Sequence, residues 1–215
     1  MQKVFLHPLA KPLLWLLVLG PLASLIHAAA TDGLGANPAE ALIRSLGDWT
    51  LRGLCLTLAI TPLRHWTGWT ALVRFRRSLG LFTFFYGVLH FLSYAWLDMG
   101  LVWSEIVRDI AKRPFILVGS ATLLLMLPLA LTSFNRAIRS LGSARWQALH
   151  RLVYVIALLG LLHFFWMRAG KNDFAEVGVY AVILGLLLGW RAVKALARRR
   201  AVHTAAAVAA APRTG

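Results

Sequence analysis

Charged side chains are scarce in this chain of 215 residues, and acidic ones are the scarcest. Charged residues make up 14% of the sequence, against roughly 25% in soluble domains. Only 8 residues are Asp or Glu, while 23 are Lys or Arg. The mean hydropathy is +0.69, and 59% of the residues are hydrophobic. This composition excludes a mainly soluble fold and indicates a membrane protein.

Cysteine and nucleotide-binding glycine patterns are also lacking. The single cysteine, Cys55, excludes a disulfide framework, and its place in an apolar run is typical of a small buried residue. No C-x-x-C-H sequence occurs, which excludes covalent c-type haem attachment. No G-x-G-x-x-G fingerprint occurs, and the segment beyond Arg200 is short. We therefore expect any flavin or nicotinamide electron donor, and any terminal acceptor, to be a separate molecule.

Hydrophobic runs long enough to cross a bilayer recur along the chain. About 20 apolar residues span the hydrocarbon core as a helix. Six runs meet this length, at residues 13–30, 47–63, 78–97, 114–133, 148–167 and 177–195. The first run could be a signal peptide, because Lys3 and Lys11 precede it, but it is longer than a typical signal core. We therefore predict an all-α membrane protein, a six-transmembrane-helix bundle over residues 1–200, followed by a disordered cytoplasmic tail over 201–215.

Basic and acidic residues fall on opposite sides of this predicted bundle. With both termini on one side, most of the 23 basic residues lie on that side and all 8 acids on the other. The positive-inside rule then predicts an N-in/C-in topology. The positive charge is spread over short loops beside an anionic leaflet, so it does not indicate nucleic-acid binding.

Two histidines, His90 and His163, lie deep inside the apolar runs, away from the ends of those runs. His90 stands within "TFFYGVLHFLSYAWL" (83–97), and an ionisable residue in a membrane span is a functional-site hypothesis by default. His90 and His163 each follow the last basic residue before them, Arg77 or Arg151, by about 12–13 residues, which is about 18–20 Å of helix. Two neutral imidazoles at matching depth, on the third and fifth predicted helices, can ligate one ion or one haem iron between them.

A third histidine, His150, lies on the fifth predicted helix about 20 Å before His163. That separation suits a second cofactor, but the two rings are some 140° apart around an ideal helix, so a kink or a displaced cofactor is needed. His65 is a weak candidate for its partner. We expect His7, His27, His65 and His203 to be exposed or interfacial.

Arginines near these histidines are candidates for holding the acidic groups of a cofactor. Arg52 lies near the acidic side of the second predicted helix, where it could bind such a group or extend to the interface. At the opposite side, Arg76, Arg77 and Arg151 could serve a second cofactor or lipid headgroups.

Three stretches carry a family resemblance: "ITPLRHWTG" (60–68), "FRRSLGLFTFFYGVLHFLSY" (75–94) and "LTSFNRAIRSLGSARWQALHRLVYV" (131–155). They resemble the ferric-reductase-like transmembrane superfamily and, within it, the MsrQ family. This is the family of haem-binding membrane subunits of bacterial periplasmic protein-methionine-sulfoxide reductase systems. The resemblance covers nearly the whole chain, and the stretch from Trp146 to Tyr154 is its most specific part.

The resemblance implies a b-type cytochrome of the bacterial inner membrane, with one or two haem b groups and, in some relatives, FMN. It implies that electrons pass from the quinone pool, or from a cytosolic flavin reductase, to a periplasmic molybdopterin-containing reductase subunit that repairs oxidised methionine in proteins. The haem and metal ligands of the family correspond to His90, His163 and His150. Relatives carry two histidines on each of two helices, whereas the third predicted helix here has one, which leaves the second ligand of His150 open.

Two rival functions remain at this stage. A proton-coupled or metal-ion transporter could use the intramembrane histidines as proton relays, but such relays usually involve carboxylates within the spans. Here every acid falls in or beside a loop, and no inverted repeat is found. A structural assembly subunit would leave the matched depth of His90 and His163 as coincidence.

Overall fold

The computed structural model describes residues 2–170 and 172–210, and within them the chain is helical with no strand. The elements in chain order are α1 (Gln2–Leu6), α2 (Ala10–Ala30), α3 (Pro38–Thr67), a 3-10 turn (Thr70–Leu72), α4 (Val73–Ser93), a π-helical turn (Tyr94–Asp98), α5 (Trp103–Lys112), α6 (Pro114–Leu131), α7 (Asn135–Leu141), α8 (Ser143–His150), α9 (Leu152–Ala169) and α10 (Ala175–Ala210). The predicted all-α class is confirmed.

Among the residues that the structure describes, five helical segments are long and apolar enough to cross a membrane. They are Ala10–Ala30, Thr70–Asp98, Pro114–Leu131, Ser143–Ala169 and Ala175–Val202. Each coincides with one of the six predicted runs, so five of the predicted spans are confirmed as candidates. The remaining run, 47–63, lies within α3. This helix is long enough to cross a membrane but is more polar than the five candidate spans.

Helix α3 carries polar residues along its length and contacts several neighbouring helices. Asn37 caps its first turn by accepting the backbone N–H of Glu40 at 3.2 Å, Pro38 occupies the first position, and Gly68 ends it at φ 71°. Eight of its residues are buried, whereas α2 has none. A helix that contacts its neighbours on several sides needs less apolar surface than one that faces lipid.

The main core lies between α3, α6, α9 and α10. Leu54 and Leu58 of α3 pack there with Ile156 and Ala157 of α9, and Leu184 of α10 closes the cluster. Helix α4 packs mainly against α3, and α6 packs mainly against α9. This arrangement determines where the histidines of α4 and α9 lie.

The two ends of the bundle differ in charge. The acidic end comprises the segment that joins α2 to α3, the segment that joins Asp98 to Pro114, and the segment that joins α9 to α10; all 8 acids lie there or in the adjoining turns of helix. The basic end comprises the segments from α3 to α4 and from α6 to α9. Helix α5 lies across the acidic end, where Ile106, 1% exposed, packs against Tyr94, Ala95 and Ile116.

The last helix bears on the predicted domain boundary. Helix α10 continues to Ala210 and therefore includes part of the tail predicted to be disordered over 201–215. Residues 211–215 and the side chain of His203 lie outside the described part of the chain. The boundary at residue 200 stays a prediction.

Candidate functional site

His90 of α4 and His163 of α9 meet inside the bundle. Their ring centroids are 6.1 Å apart, and the ring planes cross at 71°. Metal–imidazole bonds are about 2 Å long, so two nitrogens on opposite sides of one metal ion are about 4 Å apart. The ring centres lie behind those nitrogens, and the observed separation therefore fits two imidazoles that share one metal.

Backbone carbonyls orient both rings. His90 Nδ1 lies 2.8 Å from the carbonyl oxygen of Ile43, and His163 Nδ1 lies 2.6 Å from that of Phe115. A carbonyl oxygen can only accept a hydrogen bond, so Nδ1 is the protonated nitrogen in both rings. The lone pair of each Nε2 is left for a metal, and this is the usual arrangement around a metal-binding histidine.

Two glycines make room for the histidine rings. A Cβ at Gly47 would lie 3.1 Å from Cε1 of His90, and a Cβ at Gly119 would lie 2.8 Å from Cε1 of His163. Gly47 stands four residues after Ile43 in α3, and Gly119 stands four residues after Phe115 in α6. Each glycine is therefore one helical turn beyond the carbonyl that binds its histidine, and the same turn supplies the acceptor and the space.

A cavity of about 470 Å³ surrounds the two rings, which is within the usual size range of cofactor pockets. Leu51, Leu123 and Phe164 contribute to its apolar wall, and its rim reaches the acidic end. Ser120 lines it as well, and the Ser120 hydroxyl is buried with no hydrogen-bond partner in the described residues. An unpartnered buried hydroxyl beside an apolar cavity is expected where a bound group supplies the partner.

The donor set fits haem better than a bare metal ion. Within the described residues, no group of three or more His, Cys, Asp or Glu side chains could hold a metal ion. A porphyrin brings four nitrogen ligands of its own and needs two axial ligands from the protein. The two ligands come from His90 and His163. The cavity and the two glycines provide the space between the helices.

A second cavity, of about 290 Å³, lies toward the basic end. His150, Trp146, Arg76 and Arg77 contribute to its lining. The two cavities are adjacent, because four residues line both of them: Leu54, Thr83, Met126 and Ile156.

His150 is held differently from the other two histidines. Its Nε2 lies 3.1 Å from the Thr132 hydroxyl, which donates to the Pro128 carbonyl at 2.7 Å. The Thr132 hydroxyl has a single hydrogen, so His150 Nε2 donates to the Thr132 oxygen. The Trp146 ring stacks on the imidazole with centroids 4.0 Å apart. The second cavity has no other histidine in its lining, and His65 lies elsewhere, beside Trp190.

The predicted arginines occupy different places. Arg77 lines the second cavity and donates from Nη1 to Asn135 at 2.8 Å. Arg52 does not line the first cavity; its Nε donates to the Tyr180 hydroxyl at 3.1 Å, and its guanidinium lies over the Trp49 ring. The arginines that do line the first cavity are Arg44 and Arg113, which the sequence analysis did not single out.

Several other site residues were not predicted. The nearby Tyr86 hydroxyl does not serve His90, because it donates to the Val18 carbonyl at 2.7 Å. The acceptors are backbone atoms, which carry no residue-type signal. Gly47 and Gly119 were the available signal, since a glycine inside a helix costs stability unless close packing requires it. His7, His27 and His65 are exposed, as expected.

Known proteins resemble the chain over most of its length. The family described as "Ferric reductase like transmembrane component" matches residues 46–161. The "Protein-methionine-sulfoxide reductase heme-binding subunit MsrQ" of Polaromonas naphthalenivorans is 63% identical over 207 residues, or 95% of this chain and 94% of that protein. Proteins of the same name from Ralstonia nicotianae and Bordetella pertussis are 58% and 55% identical over 177 and 190 residues. The alignment with the Ralstonia protein covers 82% of this chain and 82% of the relative. The alignment with the Bordetella protein covers 88% of this chain and 91% of the relative. No solved structure matches the chain significantly.

The family match includes His90 and His150, and the alignment with the Polaromonas protein leaves few residues outside it. With the five candidate spans, these relatives show that the chain is a multi-pass membrane protein. The chain belongs to the ferric-reductase-like transmembrane family and, within it, to the MsrQ family.

Proposed function

We propose that the chain holds a b-type haem between His90 and His163 and relays electrons through it to a methionine-sulfoxide reductase. The observation that carries this proposal is the facing pair of imidazoles, each with Nδ1 on a backbone carbonyl and Nε2 left for a metal. The relatives support the same ligand, because their name describes heme-binding subunits.

The residues of the chain define the environment of the haem. A haem bound here would supply one-electron transfer. His90 and His163 would hold it through Nε2 as neutral ligands, while the carbonyls of Ile43 and Phe115 keep the hydrogen on Nδ1 and fix the orientation of each ring. The apolar wall of the cavity would limit water access to the group, and this burial, with the two histidine ligands, would set its reduction potential.

The charge distribution supports a direction for the relay. The basic end faces the cytoplasm and the acidic end the periplasm of a bacterial inner membrane, with both termini inside and α3 as the sixth span. Electrons enter from the quinone pool or from a cytosolic flavin reductase. They leave at the acidic end toward a periplasmic molybdopterin-containing subunit that reduces methionine sulfoxide in proteins.

The second cavity is the proposed site of a further cofactor, a second haem b or FMN. His150 is its candidate ligand, and Arg77 at the rim is a candidate for binding its acidic groups. His150 would have to release Thr132 to ligate a metal, because its Nε2 is engaged in that hydrogen bond. A second haem would also need a ligand other than histidine from the residues that line the cavity.

The test is a reduced-minus-oxidised visible spectrum of the detergent-purified protein, with haem quantified per chain. We expect a b-type α band in the wild type and its loss in His90→Ala and His163→Ala. The matched control is His65→Ala, because His65 is exposed and lines neither cavity. Haem content unchanged in both site variants would refute the assignment.

The same preparations test the rival functions. A folded wild-type protein without haem, purified from haem-replete cells, would refute the cytochrome proposal and favour the transporter. Membership of the MsrQ family gives the transporter no support. A haem-to-protein ratio near two would indicate that the second cavity also binds haem.

A further inference from the structure

The rim of the first cavity at the acidic end includes two guanidinium groups. Arg44 extends from α3, and Arg113 lies between α5 and α6. A b-type haem is more than a metal centre, because its porphyrin carries two carboxylate side chains that need cations or water. The question is which of these two guanidinium groups is built to receive them.

Arg113 is fixed by two neighbouring elements. Its Nε donates to Asp109 Oδ1 at 2.6 Å, its Nη2 donates to Asp109 Oδ2, and the Tyr94 hydroxyl donates to the same Oδ2 at 2.6 Å. Asp109 belongs to α5, which is anchored by the buried Ile106. The guanidinium is therefore held in one orientation before any ligand binds, so little side-chain entropy remains to be lost.

Part of the Arg113 guanidinium takes no part in these hydrogen bonds. A guanidinium has five N–H donors, and the hydrogen bonds to Asp109 use donors on Nε and Nη2. No hydrogen bond from Nη1 reaches any of the described residues, and 42% of the side chain is exposed. The Nη1 donors are available on a side chain that lines the cavity.

Arg44 supports Arg113 but is held more loosely. Its Nε lies 3.3 Å from Glu40, and its Nη2 contacts the sulfur of Met167 at 3.8 Å. Sulfur is a weak acceptor, so an incoming carboxylate can replace it without loss. The rim also carries the acidic side chains of Glu40, Asp48 and Asp98. Because these groups repel an added carboxylate, a carboxylate bound at the rim needs cations beside it.

We propose that Arg113, with Arg44 beside it, forms the subsite that binds the carboxylate side chains of the porphyrin held by His90 and His163. The inference rests on the proposed haem function and deepens it. Asp109 and Tyr94 are positioning residues, because Asp109 binds Arg113 at the rim and the Tyr94 hydroxyl holds Asp109. Arginine suits this role, because its planar donors match a carboxylate.

The experiment compares haem with its dimethyl ester, which has the same iron and macrocycle but no free carboxylates. Haem-free protein is purified from haem-deficient cells and titrated with each porphyrin in detergent. The variants are Arg113→Gln and the matched control Arg52→Gln, since Arg52 lies near the same end but does not line the cavity. Circular dichroism and size-exclusion profiles check that each variant is folded.

We expect the wild type to bind haem at least about tenfold more tightly than the dimethyl ester, because hydrogen bonds to charged groups are among the strongest. In Arg113→Gln the preference falls severalfold while binding of the ester is little changed, and in Arg52→Gln the preference stays at the wild-type value.

Three results would overturn the inference. Equal binding of both porphyrins by the wild type refutes it while leaving the haem function intact. The same preference in Arg113→Gln as in the wild type refutes the role of Arg113. If the wild type binds neither porphyrin, the proposed haem function fails and the inference fails with it.

Discussion

Replacing Gly119 by alanine tests the histidine geometry most directly. The new Cβ would lie 2.8 Å from both Cε1 and Nδ1 of His163, whereas ordinary contact begins at 3.4 Å, so the ring or the helix must move by about 0.6 Å. A metal site tolerates deviations of about 0.2 Å in its bond lengths. The shift also disturbs the 2.6 Å bond between His163 Nδ1 and the Phe115 carbonyl.

The expected result is a large loss of haem affinity. Losing the group that orients a metal-binding histidine typically costs about 10–100-fold in metal affinity, and overpacking adds about 1–3 kcal/mol of destabilisation. Gly47→Ala should have a smaller effect, because its Cβ would lie 3.1 Å from the His90 ring. The matched control is Gly160→Ala, which also lines the cavity but has no atom nearer than 4.0 Å.

The assay is haem titration of the haem-free variants, together with thermal unfolding in the same detergent. The affinities should rank Gly160→Ala, Gly47→Ala and Gly119→Ala, in falling order. Wild-type haem affinity in Gly119→Ala would refute the reasoning, because the rings could then not depend on the space that this glycine provides.

Three further predictions follow from the contacts described above. Ser120→Ala should raise the unfolding free energy of the haem-free protein by about 1 kcal/mol, measured by denaturant titration, because it removes a buried hydroxyl that has no partner; a clear loss of stability would contradict this. His150→Ala should leave the haem of His90 and His163 in place and lower the haem-to-protein ratio only if the second cavity binds haem; loss of all haem would contradict the separation of the two sites. Partial burial alone would raise the pKa of Asp109, but the hydrogen bonds from Arg113 and Tyr94 outweigh it, and the pKa lies below the ordinary value of 3.8. The ionised Asp109 therefore stabilises the docking of α5 fully above pH 3.8, and this stabilisation is lost as the pH falls through the lowered pKa. Hydrogen exchange of the α5 amides should rise in acid, and Asp109→Asn should remove that pH dependence.

The sequence predicted the histidine pair because both residues stand at a similar distance from a charged helix end. His90 and His163 stand on long helices. The number of residues between each histidine and the basic residue at the helix end, multiplied by the rise per residue, gives its depth in the membrane. The lengths of the apolar runs predicted six spans; five coincide with candidate spans of the described residues, and the sixth lies within α3. Helix α3 carries Arg44 and Arg52, whose guanidinium groups reach Met167 of α9 and Tyr180 of α10, and those partners depend on which helices are neighbours.

The contacts around the pair could not be predicted in the same way. The groups that hold the rings are main-chain carbonyls on helices distant in sequence, so no residue type indicates them. Arg52 was chosen by depth alone, and the structure places it on Tyr180, whereas Arg113 lines the cavity because Asp109 and Tyr94 hold it there. The orientation of such a side chain depends on tertiary contacts that depth does not specify.

The pairing of a carbonyl with a glycine one turn later has a consequence for how this site tolerates mutation. The atoms that orient His90 and His163 belong to the peptide backbone, and every residue type carries this carbonyl, so a substitution at 43 or 115 does not by itself remove the acceptor. Substitution is restricted instead at Gly47 and Gly119, which make no bond to the histidines themselves. Random mutagenesis of this chain should therefore accept other apolar side chains of similar size at Ile43 and Phe115, which pack against the cluster around Ile106, and reject almost every change at the two glycines.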